Sequence, residues 1–131
     1  MGTETIKDIP ALTARARAAL TPDNIPAELK ALRQWVCWKY SARFQSVTKP
    51  PIDAKTGMFA KSDDPATWAT FGVALDRFNA DKRGVAGIGL MLAEGDDLVF
   101  IDIDDRGATH DELAEKALGW FTGTYAETSP A

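Results

Sequence analysis

The spacing of apolar residues changes repeatedly along the chain, and each change predicts an element. Pro10 opens a short alanine-rich helix that runs to Leu20 and stops at Thr21-Pro22-Asp23. A second helix is predicted from Pro26, with Leu29 and Leu32 facing a core and Glu28, Lys30 and Arg33 facing out. The helical period is then lost. Residues 34–40 are aromatic and β-rich, which suits a strand buried on both faces. After a polar stretch at 41–46, residues 47–52 return as an edge strand or extended arm, because Pro50 and Pro51 exclude a central position. Residues 53–57 read as a turn. Ser62-Asp63-Asp64-Pro65 reads as a helix start, and Trp68, Phe71, Leu75 and Phe78 form one apolar stripe ending near 79–81. Residues 86–92 alternate small and large, and Gly87 and Gly89 permit close approach of backbone or ligand.

A turn at 93–97 leads into Leu98-Val99-Phe100-Ile101-Asp102-Ile103-Asp104-Asp105, predicted to close an antiparallel hairpin. Alternation along this strand puts Asp102 and Asp104 on one face, with Cα atoms roughly 6.5 to 7 Å apart. Two carboxylates so placed repel each other unless a divalent ion or basic side chains neutralise them, so the pair is a candidate metal site. The alternative is a strand that simply runs out into solvent at Asp104. A calcium-loop reading fails because Arg106 replaces an oxygen ligand and position twelve is Leu113. A phosphatase reading with Asp102 as nucleophile lacks room for the parallel sheet it needs. Further on, Thr109 and Glu112 form a capping box opening a helix through Trp120, which favours His110 as a solvated residue of its first turn over the alternative of a metal ligand or general base. Residues 124–131 have the alternation of a strand entering a turn.

Composition narrows this to an ordinary globular domain. The 131 residues are 45% hydrophobic and 26% charged, enough for one core, and no apolar run approaches membrane-spanning length. The first residues lack a signal peptide's features, so a cytoplasmic location and no membrane partner are expected. Cys37 is the single cysteine, which excludes an internal disulfide and a cysteine-based zinc site; between Trp35 and Trp38 it reads as a buried, inert thiol. The net charge of −4 argues against nucleic-acid binding, yet its distribution argues otherwise. Residues 25–61 hold seven basic and two acidic residues, whereas 62–131 hold five basic and fourteen acidic ones. One half suits phosphates and the other metal; both also fit ordinary solvated faces.

The motifs Ile25-Pro26-Ala27-Glu28-Leu29, Gln34-Trp35-Val36-x-Trp38, Lys49-Pro50-Pro51-Ile52 with Thr56-Gly57, Asp63-Asp64-Pro65-x-Thr67-Trp68, Gly87-Ile88-Gly89 and Ile101-Asp102-Ile103-Asp104 follow one another in a telling order. By them the chain resembles the N-terminal catalytic domain of phage and plasmid primase-polymerases, of the archaeo-eukaryotic primase superfamily. The resemblance covers residues 25–131 and leaves 1–24 as a peripheral helical segment. It implies an α/β (α+β) fold, a mainly antiparallel sheet carrying the Asp-x-Asp strand and flanked by helices. It implies that Asp102 and Asp104 hold Mg2+ or Mn2+ as catalytic residues of a nucleotidyltransferase in DNA replication. Implied partners are nucleoside triphosphates, a single-stranded DNA template, and a helicase or further part of the same protein. Nucleic-acid or phosphate contacts are assigned to Lys49, Lys55, Lys61 and Ser129.

Family members continue beyond a Glu-x-Ser-Pro segment into Ser-Gly-x-Gly-x-His and a later third carboxylate; here Glu127, Ser129 and Pro130 are followed only by Ala131. The expectation is therefore a fragment with half an active site and weak or no polymerase activity alone. The alternative is a non-catalytic module that binds single-stranded nucleic acid or a replication protein, with Trp35, Trp38, Tyr40 and Phe44 interleaved among basic residues. Against a stacking role, Trp35 and Trp38 also fit a buried strand.

Overall fold

The computed structural model describes residues 8–43 and 46–96. Its centre is strand β1 (Trp35–Trp38), the aromatic segment predicted to be buried on both faces. β1 pairs antiparallel with β4 (Pro51–Ile52) on one side and β5 (Gly87–Leu90) on the other, in the order β4-β1-β5. Cys37 lies opposite both Ile52 and Ile88. Pro51 takes an edge position, where its missing N–H costs no ladder bond. The polar stretch after β1 pairs as well: β2 (Ser41–Arg43) and β3 (Ser46–Thr48) form a separate two-stranded ribbon. Backbone pairing needs no apolar side chains there, and Val47 anchors the ribbon against buried Tyr40.

Helices flank the sheet, so the described residues form an α+β fold with antiparallel sheets. On one face α3 (Phe71–Ala80) lays Phe71, Ala74, Leu75 and Phe78 over Trp35, Cys37, Ile52, Ile88 and Leu90. Trp35 meets Phe71 edge to face, with centroids 5.0 Å apart. On the other face Val36 packs with Ala60, Trp68 and Met91, while Trp38 joins Tyr40, Ala86 and α1 (Ile9–Ala19). The Trp38 indole covers Gly87 so closely that a Cβ there would lie 2.5 Å from Nε1. The close approach anticipated at Gly87 is thus made by a side chain of the fold.

The helix predicted to run unbroken from Pro65 is divided. A 3-10 turn spans Pro65–Thr67, capped by the Asp64 carboxylate, and α3 starts afresh after its own cap, Thr70. Between them Ala69 pairs with Trp35 through N–H···O bonds of 2.9 and 2.7 Å, which requires extended backbone. Trp68 therefore faces the opposite core from Phe71, with its indole N–H donating to the Lys61 carbonyl at 2.9 Å.

α1 ends at Ala19, one residue short of the predicted Leu20, which serves as its extended C-cap, and is tied to α3 by Arg17. The Arg17 guanidinium donates to the carbonyls of Phe78 and Val85, both at 2.6 Å, and lies 3.9 Å from the Phe78 ring centroid. A cation thereby satisfies a carbonyl in the last turn of α3, where the helix dipole favours positive charge. The short α2 (Ala27–Lys30) brings Leu29 onto the core and Lys30 over the Phe71 ring.

Candidate functional site

Asp102, Asp104 and Ser129, and with them Phe44, His110, the Asp-x-Asp strand and the capping box at 109–112, lie outside the described residues. The chain leading toward the aspartates is held firmly up to Asp96. Gln34 Nε2 donates to the Met91 carbonyl at 2.8 Å and to Asp96 Oδ2 at 2.9 Å, and the same Oδ2 accepts from Ala93 N–H at 2.7 Å. Gly95, with φ +87°, provides the left-handed residue of this turn. Gln34 thus joins the start of β1 to the end of the β5 segment, six positions before Asp102.

The basic segment reaches the surface in two places. Lys55 belongs to the turn after β4. Its ammonium donates to the carbonyls of Trp68 at 2.6 Å and Ala66 at 2.9 Å, and pairs with Asp53 Oδ1 at 3.2 Å. Asp53 is buried, and its carboxylate also accepts from Lys55 N–H at 2.8 Å, so the two residues brace the turn from inside. Gly57 closes that turn at φ +81°, its N–H bonded to the Asp53 carbonyl at 2.8 Å, and Arg77 of α3 donates to the Ala54 carbonyl at 2.7 Å. Lys61, exposed, receives this network through its backbone: its N–H donates to Thr67 Oγ1 at 3.0 Å. Lys55 and Lys61 are therefore brought together around the Pro65–Thr67 turn.

Lys49 sits elsewhere, 5.9 Å from the Trp38 ring centroid and 6.0 Å from that of Tyr40. Those rings meet edge to face at 5.1 Å. Trp35 and Tyr40 are buried, so neither offers a free ring face, and Trp38 is only partly accessible. Among the described residues the exposed aromatic is Phe59, at 64% beside Met58 at 71%. The Lys39 ammonium lies 5.3 Å from the Phe59 ring centroid. Phe59 was not singled out by sequence reasoning. The available signal was a Met-Phe pair immediately after the Thr-Gly of a turn, where polar residues are the norm.

Lys39 and Lys49 thus each place an ammonium beside an aromatic ring. Among the described residues no three His, Cys, Asp or Glu side chains are grouped to hold a metal ion. Cys37 is unsuited to chemistry: burial pushes its thiol up to about 11, against the lowering influence of Arg77, and its S–H donates to the Ala74 carbonyl at 3.3 Å. Among the described residues no helix is long and apolar enough to cross a membrane.

Comparison with known proteins relates the chain to the primase-polymerases. It is similar to the DNA primase-polymerase of Nitratiruptor phage NrS-1, with 32% identity over 99 residues. The alignment covers 76% of this chain and 11% of that protein, so the chain spans about a tenth of its relative's length. No family model matches the chain.

Proposed function

We propose that this chain is part of a phage or plasmid replication protein that performs template-directed nucleotidyl transfer on DNA. The observation that supports this most is the 32% identity to a phage DNA primase-polymerase over three quarters of the chain. Asp102 and Asp104 are the catalytic carboxylates in this reading. Two hard oxygen donors on one strand face suit Mg2+ or Mn2+ and do not suit a thiolate-seeking metal. A bound divalent ion would supply positive charge for a primer 3′-hydroxyl and an incoming triphosphate. Within the described residues, Gln34 and Asp96 hold the 93–96 turn. The basic segment supplies cations for the template backbone and the triphosphate, with Lys49 and Lys61 as its outward members.

Binding of fluorescent dATP to the chain tests this. Binding should require Mn2+, disappear with EDTA, and disappear in the Asp102→Ala, Asp104→Ala double variant. Metal-independent binding, or equal binding by the double variant, would contradict the proposal and favour a non-catalytic module for single-stranded nucleic acid.

A further inference from the structure

The turn that carries Met58 and Phe59 is constrained at nearly every residue. Asp53 N–H donates to the Met58 carbonyl at 2.7 Å, Met58 N–H donates to Thr56 Oγ1 at 3.1 Å, and Ala60 N–H donates to the Pro51 carbonyl at 2.9 Å. Phe59 pairs with Ile52 across this small hairpin, while Ala60 beside it is buried against Val36 and Trp68. The backbone is therefore fixed, yet its two largest apolar side chains are presented to water. Burying such a side chain would stabilise the fold, a gain this turn leaves unused. Isolated exposed apolar residues are ordinary, but this one is fixed in a cationic setting. Lys39 lies over the ring, Lys61 follows two positions later, and the surrounding segment has seven basic residues against two acidic ones.

From this arrangement we infer that Phe59 is a stacking platform for an unpaired base of single-stranded DNA, with Lys39 and Lys61 as cations for the adjoining phosphates. The inference rests on the proposed role in DNA replication and adds the side chains that receive the strand. An aromatic ring on a rigid turn loses little freedom when a base stacks on it, and such a contact tolerates any sequence. Lys39 at the ring and Lys61 two positions along suit a polyanionic occupant and so distinguish this edge from an apolar docking patch for a protein.

Fluorescence anisotropy with a labelled oligothymidylate tests the assignment, using the full chain. Phe59→Ala should weaken binding roughly ten- to a hundredfold with an unchanged salt slope, and Phe59→Trp should restore it. Lys39→Ala should reduce the slope of log affinity against log salt by roughly 0.7. Circular dichroism should show all three variants folded, because Phe59 is largely exposed. Unchanged affinity in Phe59→Ala, failure of Phe59→Trp to rescue, or no binding by the wild type would overturn the assignment. Mn2+-dependent dATP binding, measured alongside, separates this from the catalytic reading. If dATP binding is intact while Phe59→Ala binds DNA normally, only the stacking assignment falls. Loss of affinity in Phe59→Ala without any metal-dependent dATP binding removes the catalytic reading and leaves the platform.

Discussion

On the inner side of the 53–59 turn the Lys55 ammonium sits among three oxygens, from Asp53, Ala66 and Trp68; across the hairpin the Lys39 ammonium faces the exposed ring of Phe59. Both lysines belong to one basic segment, and nothing in their spacing separates them. The difference comes from what surrounds them. A buried carboxylate and two carbonyls leave the Lys55 amine no spare donor for a ligand, since an ammonium has three. An aromatic ring leaves the donors of Lys39 available to a phosphate. Positive charge along a sequence therefore counts candidates for phosphate contact, and the fold decides which of them are structural.

Three expected effects sharpen this contrast between committed and available groups. The largest belongs to Cys37, a fully buried thiol of β1. Its thiol titrates near 9.0 when unfolded and about 11 when folded, so the folded state retains a proton that the unfolded chain releases. Its contribution is full below pH 9 and is lost as pH rises to 11, a fall of about 3 kcal/mol at ~1.4 kcal/mol per unit. Urea denaturation across that range should show the decline, and Cys37→Ala should flatten it. Next, Lys55→Ala should cost about 2 kcal/mol, because it leaves the buried Asp53 carboxylate without its ion-pair partner, though still bonded to the backbone N–H of residue 55, and two carbonyls without their ammonium donor. Its salt dependence of oligonucleotide binding should match the wild type. The smallest effect is Lys39→Ala on stability, within about 0.5 kcal/mol, since it removes only an exposed cation–ring contact. A large loss of stability there, or a reduced salt slope in Lys55→Ala, would break the distinction.

The elements that sequence reasoning placed well are those whose cause is local. β1 follows from a run of β-branched and aromatic residues, and the α3 stripe from Phe71 onward follows from helical spacing. Trp68 fits the same spacing but leaves the helix, because the bond between Ala69 and Trp35 joins residues far apart in sequence. The ribbon of β2 and β3 was hidden by its polarity, and the Arg17 cap on α3 by the 61 residues that separate it from Phe78. Of the candidate site, Lys49, Lys55 and Lys61 fall within the described residues, and their differing surroundings depend on turns and packing that no periodicity encodes. Phe59 was overlooked for a related reason, since an exposed ring in a turn follows no hydrophobic pattern.

The central claim is that Asp102 and Asp104 hold the divalent ion of a nucleotidyl-transfer site. Isothermal titration of Mn2+ into the wild-type chain and into the Asp102→Ala, Asp104→Ala double variant tests it most directly. The account predicts a saturable isotherm for the wild type that is abolished in a folded double variant. Identical isotherms for the two proteins would contradict it.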